Sequence, residues 1–207
     1  MKKLLILLFS LFFFSSPSVI ADDISDFQIE GIKIGDSLLD YMTEEEILEE
    51  IERNKNDYSN LNEPNKYAEV YLFKDLPTYD FLSFFIKNNS VNQYVTNSNE
   101  KYPILFVRGL IDFIEDFDSC IRKRDEIAKV ISEMFPDAQI VEDFGPHPLD
   151  SSGDSIIDSI VFKIDSGTEI ESQCNNWEET FRVKNNYSEG LSVVLYSEEV
   201  LSWITDY

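Results

Sequence analysis

Histidine is almost absent from this chain: His147 is the only one. A single imidazole can build neither a His-based metal cluster nor the two-histidine H-E-x-x-H arrangement of zinc hydrolases. Cysteine is nearly as scarce, with Cys120 and Cys174 alone, and their spacing is not the C-x-x-C of a redox catalyst. Basic residues number 17 against 40 acidic ones, and no basic cluster exceeds Arg122-Lys123-Arg124. A nucleic-acid partner needs a cationic footprint that releases counterions from phosphate, and an anionic lipid surface needs one too. A nucleic-acid partner is therefore not expected, and an anionic lipid surface is disfavoured for the same reason. No G-x-S-x-G nucleophile elbow occurs anywhere.

Long apolar runs are missing except at the start. Lys2 and Lys3 precede an eleven-residue apolar stretch, Leu4 to Phe14, interrupted only by Ser10. Spanning a bilayer takes about 20 apolar residues, so the stretch is too short for a membrane anchor. A turn-prone Ser15-Ser16-Pro17-Ser18 follows, and then Val19-Ile20-Ala21, with small or branched residues at the −3 and −1 positions of a cleavage site. Residues 1–21 are thus expected to be a cleavable secretory signal peptide, with Asp22 as the mature N-terminus. The first cysteine is Cys120, so a lipid-modified cysteine at that terminus is not expected. Losing Lys2 and Lys3 leaves 15 basic against 40 acidic residues, which moves the formal charge from −23 to −25. Such a balance keeps a domain soluble and favours a metal cation, a basic peptide or a cationic protein over an anionic partner.

What is present is a globular composition. Aromatic residues make up 14% of the chain, and a domain of this length buries about 70% of its unfolded surface. Phe27 to Ile34 alternates loosely and reads as a short strand. Thr43-Glu44-Glu45-Glu46 is a capping box that starts a helix with Ile47, Leu48 and Ile51 on one face. The Asn-rich stretch from Asn54 to Lys66 marks a boundary, so that 22–66 is expected as an N-terminal extension and 67–207 as the main domain. From Ala68 the period changes to two. Ala68–Phe73, Phe81–Ile86 and Val91–Thr96 read as strands, with Lys87-Asn88-Asn89-Ser90 as a hairpin turn. Ile104 to Ile114 is apolar on both alternations, as a central strand covered on both faces requires.

A helix capped by Asp118 or Ser119 is expected to run to Phe135, where Pro136 stops it. Its inner face would be Cys120, Ile127, Ile131 and Met134, widened by Ile121, Ala128 and Phe135. After a Pro/Gly/Ser loop from Gly145 to Asp154, strands resume over Ile156–Ile164, Thr168–Asn175 and Leu191–Tyr196, and Ser197 caps a last short helix. The class is α+β: an antiparallel sheet of hairpin-linked strands with one long helix and shorter helices packed on it. The order also suggests a degenerate repeat of a strand-strand-strand-helix unit.

Candidate chemistry is sparse. Cys120 on the inner helix face and Cys174, in phase with Ile170, point into the same layer of an exported protein, which predicts a structural disulfide. Asp150, Asp154 and Asp158 around a Gly/Ser loop are candidate oxygen ligands for calcium, although Gly153 and the missing twelfth-position glutamate exclude an EF-hand. Asp112, Glu115, Asp116 and Asp118 also cluster, where carboxylates suit the start of the long helix. His147, between two prolines, is expected to point outward from the surface, and a Ser–His–Asp triad through Ser151 or Ser152 would need a hydrogen bond to it. With no catalytic motif, the expected function is that of a non-catalytic periplasmic or secreted protein that binds a protein, a peptide or a small cationic ligand. A secreted hydrolase with dispersed active-site residues and a calcium-stabilised module are the alternatives. A small outer-membrane barrel is not expected, because the helix over 119–135 takes chain that strands of about ten residues would need.

Overall fold

The computed structural model describes residues 27–55, 66–90, 95, 97–164 and 167–205. The expected leader lies outside them, as does the strand expected over Val91–Thr96 apart from Val95.

One seven-stranded antiparallel sheet organises the molecule. Its strands are β1 (Tyr67–Leu72), β2 (Phe81–Lys87), β3 (Ile104–Asp112), β4 (Gln139–Pro146), β5 (Ile156–Ile164), β6 (Thr168–Asn176) and β7 (Gly190–Tyr196). The spatial order is β1-β2-β3-β7-β6-β5-β4. Two meanders therefore meet where β3 pairs with β7. Between them α2 (Phe117–Met134) carries the chain from the middle of the sheet to the far edge. The α+β class follows from this order.

The two faces of the sheet are covered differently. On the first, Val70, Phe84, Val107, Leu195, Ile170 and Phe162 lie in one row across six strands, and all belong to the main core. Helix α2 packs on its β6 and β7 end, presenting Cys120, Arg124, Ala128 and Ile131 at steps of four, four and three. The expected stripe was right in its apolar members, but it passed over Arg124, whose guanidinium pairs with Asp158 of β5. Arg124 is buried, so both charges need the pairing to offset desolvation. The N-cap is Asp116, accepting from the Ser119 N–H at 3.2 Å, and not Asp118 or Ser119. Helix α1 (Glu44–Asn54) starts at the expected capping box. Thr43 Oγ1 accepts from the Glu46 N–H, and Glu46 accepts from the Thr43 N–H at 2.9 Å.

Residues 27–34 form no strand. The chain turns back through Glu30 and Gly31, both at positive φ, leaving a two-residue bridge between Ile29 and Ile32. Those isoleucines, with Leu38 and Ile47, enter the same core as the sheet, so the segment before residue 66 shares that core. Helix α1 also closes the β1 edge. Glu50 Oε2 accepts from the Tyr71 N–H at 3.3 Å, and Asn54 Nδ2 donates to the Glu69 carbonyl at 3.2 Å. Unpaired edge groups are thereby satisfied by side chains instead of a further strand.

Two elements were not expected. β4 is a strand because it pairs with β5 over eight residues, although nearly all its side chains are exposed. An edge strand with solvent on both faces carries no clean period-two signal. The short helix α3 (Glu179–Asn185) stands between β6 and β7; it is capped by Glu178 and ends at Asn186 in the left-handed region. The hairpin predicted at Lys87–Ser90 is a longer link, since β2 pairs directly with β3.

The final helix α4 (Glu198–Thr205) covers the opposite face. Its Val200 packs with Phe85, Phe106 and Val194. Duplication of a three-strand-plus-helix unit would relate antiparallel β3 and β7 by an axis normal to the sheet, which keeps both helices on one face. α2 and α4 lie on opposite faces, so the arrangement does not carry the suggested repeat.

Cys120 and Cys174 are bonded, with Cα atoms 5.9 Å apart. Both are fully buried between α2 and β6. The bridge pins the crossover helix to the second meander.

Candidate functional site

Helix α4 covers only part of the second face. The uncovered part is the floor of a cleft of about 570 Å³. The register builds that floor in rows. One row runs Tyr71, Ser83, Arg108, Val194; the next runs Phe81, Leu110, Ser192, Gln173; Asn175 follows on β6. Period-two alternation turns all of these side chains to the same side.

The walls come from three places. The end of α1 supplies Glu50, Arg53 and Asn54, and the exposed Phe73 beyond β1 stands with them. Opposite, Trp177 is fixed by its Nε1 donating to the Ser188 carbonyl at 2.9 Å, and it packs on Tyr187 at 4.8 Å between ring centroids. His147 also lies against Trp177, centroids 4.0 Å apart. The outward surface histidine expected from the two prolines is thus corrected: His147 packs on Trp177 and is only 8% exposed. Its Nδ1 accepts from the Leu149 N–H at 3.2 Å, which places the proton of the neutral ring on Nε2. Burial lowers its pKa, opposed in part by Asp150. No hydroxyl hydrogen-bonds to the imidazole among the described residues.

Charge in the cleft is unevenly committed. Arg53 is paired with Glu50. Arg108 lines the cleft, donates from Nε to Ser83 Oγ at 3.2 Å and makes no ion pair among the described residues. Elsewhere on the floor Ser192 Oγ, one strand over, and Asn175 Oδ1, towards the end of β6, are buried and without a hydrogen bond among the described residues. Native interiors leave few polar atoms in that state, and each one calls for a reason.

The acidic residues singled out from the sequence are elsewhere. Asp150 accepts from the Ser155 and Ser152 hydroxyls, at 2.6 and 2.7 Å, and from both backbone N–H groups; its pKa is held at about 2, chiefly by the Ser155 hydroxyl and then by Ser152. It therefore organises its own loop. Asp158 is engaged with Arg124 on the other face, and the Asp154 N–H donates to Ser152 Oγ. Among the described residues no three His, Cys, Asp or Glu side chains are grouped as a metal site requires. Of the second acidic cluster, Asp116 caps α2, the Asp112 N–H donates to Asp80 and the Glu115 N–H to Glu189. Ser151 and Ser152 do not meet His147. Sequence reasoning missed Arg108, although one signal was present: it is the only charged residue between Ile104 and Ile111, in a strand that read as apolar on both faces.

Next to the floor, under α4, Tyr196 donates to Glu171 Oε2 at 3.1 Å. Burial raises the Glu171 pKa, against the Tyr196 hydrogen bond and with help from Glu169. A carboxyl raised in the folded state stabilises most when protonated, below its ordinary range near pH 4, and that contribution is lost as pH rises through the folded value. Glu171→Gln is therefore expected to raise the thermal midpoint at pH 7 and to leave it unchanged at pH 3. Equal shifts at both pH values would refute the desolvation account.

Comparison of the chain with protein-family models, with curated proteins and with solved structures finds no match.

Proposed function

We propose that this protein is exported and acts by binding, with the cleft over β3, β7 and β6 as the site for a small ligand or a short peptide end. The observation that carries the reading is the floor itself, where a guanidinium and two buried polar atoms without partners lie among fixed aromatic rings. Ligand sites combine aromatic or apolar surface with convergent polar groups in a volume of about 300–1,000 Å³, and this cleft has that volume with aromatic and polar side chains both well represented in its lining. A disulfide between two buried cysteines supports export, because such bonds persist in oxidising compartments. Among the described residues no helix is long and apolar enough to cross a membrane. Hydrolysis finds no support in the same geometry, since His147 meets no nucleophile.

The reading is tested by titrating the isotope-labelled mature protein with a fragment library that spans aromatic, aliphatic, acidic and basic compounds. Fragments that bind are expected to move the Arg108, Gln173 and Trp177 side-chain resonances together. A library that moves none of them, or whose hits all map to the α2 face, would defeat the proposal.

A further inference from the structure

The cleft's chemistry is specific enough to name a ligand class, an inference that rests on the binding reading above. We infer that the cleft takes a monocarboxylate attached to an apolar or aromatic group, with the carboxylate on Arg108 and the apolar body between Phe81, Leu110 and Trp177.

A guanidinium offers five N–H donors in a rigid fork that matches a carboxylate bidentately. Arg108 spends one, Nε, on Ser83. The Ser83 contact orients the plane, Arg108 lines the cleft, and among the described residues no carboxylate pairs with it. In a protein with 40 acidic residues that vacancy is unusual, because nearby carboxylates readily pair with an arginine. Ser192, one strand away, carries a hydroxyl without a partner that can donate to a bound carboxylate, whereas Asn175 Oδ1, two strands away, can only accept and suits an N–H donor on the body of the ligand, such as a peptide N–H.

The count of charges sets the valence. Arg53, the other cation on the walls, is matched by Glu50, and His147 is held towards neutrality by burial. One free positive charge balances one negative charge. A phosphate dianion would leave a charge uncompensated in a cleft whose surroundings are already strongly negative. The protein's overall field repels anions at long range but is screened over about 8 Å at physiological salt. Binding must then come from the short desolvated contact and from apolar burial, which selects an amphiphilic acid over a small hydrophilic one. Such a carboxylate could belong to a free aromatic or aliphatic acid or to a peptide C-terminus ending in a bulky apolar residue; the chemistry at Arg108 is the same.

The test uses the mature, oxidised protein and reads dissociation constants from the cleft resonances. The probes are 4-phenylbutyrate and 4-phenylbutyramide, and N-acetyl-Ala-Ala-Phe as acid and as C-terminal amide. At least one acid is expected to bind about tenfold or more tighter than its own amide, the size of effect that a charge-assisted hydrogen bond produces. Preference in the first pair alone identifies a free acid as the source, and preference in the second a peptide end. Arg108→Gln is expected to bring the acid to the level of its amide, both measured on the same folded variant. Arg108→Lys, which keeps the charge and loses the fork, is expected to recover only part of the preference. Acids and amides that bind alike, or an acid preference that survives Arg108→Gln in a folded variant, would overturn the carboxylate assignment and leave the cleft a binding site. If no probe and no library fragment moves the cleft resonances, the binding reading falls first and the assignment with it.

Discussion

Replacing Cys120 and Cys174 together by alanine is expected to lower the unfolding free energy by about 4 kcal/mol. The bridge closes a loop of sequence separation 54, and in the chain-entropy model the entropy that closing such a loop removes from the unfolded state has that size. Within the loop lie the crossover helix α2, the edge strand β4 and the β4–β5 hairpin. Without the bridge, the chain must find the far edge of the sheet from β3 unaided. Both sulfurs are buried, so the bond is shielded from thiols and suited to a structural role. Urea unfolding of the oxidised protein and of the double variant measures the difference, and a loss below about 1 kcal/mol would contradict the account. Material recovered from the extracytoplasmic fraction should show by intact mass both the absence of free thiols and a chain beginning at Asp22. A mass retaining residues 1–21 would remove the support for export.

Gly190→Ala is expected to cost at least about 3 kcal/mol. Gly190 opens β7 at φ +141°, a conformation that a side chain rarely adopts. An added Cβ would also run into the Ile111 carbonyl oxygen and the Phe113 nitrogen. These are backbone atoms of the strand that β7 pairs with, and they cannot rotate away as a side chain could. The register sets Gly190 between Asp112 and Asn175, so yielding would shift the start of β7 and with it Ser192 on the cleft floor. A smaller loss, together with an unaltered environment at Ser192, would show that the strand end gives way freely. Gly145→Ala in β4 serves as the control. Nothing lies within 4 Å of its added Cβ, and a change within about 0.5 kcal/mol is expected.

The legible parts of this protein are those where a local physical rule and the tertiary outcome agree. The capping box at Thr43 formed because both of its hydrogen bonds close within four residues. β3 was readable because burial on two faces demands a continuous apolar run. The cysteine pair followed from the phase of one helix and one strand, each set by its own period. Residues whose role depends on distant partners were misread. His147 was expected on the surface because nothing near it in sequence reports Trp177, thirty residues on and folded against it. Asp158 looked like a cation ligand until Arg124, on another element, engaged it.

From the sequence alone come the α+β class, most of the strands, the long helix and the disulfide, because periodicity and capping are properties of short segments. The order β1-β2-β3-β7-β6-β5-β4, the helices on opposite faces and the cleft between α1 and the Trp177 cluster were decided only by tertiary structure. The reason is register. Arg108, Ser192, Gln173 and Asn175 come from three strands, and only the pairing of β3 with β7 and of β7 with β6 brings them onto one floor. That pairing is a long-range choice made by the burial of the opposite face, where Val107, Leu195 and Ile170 must meet.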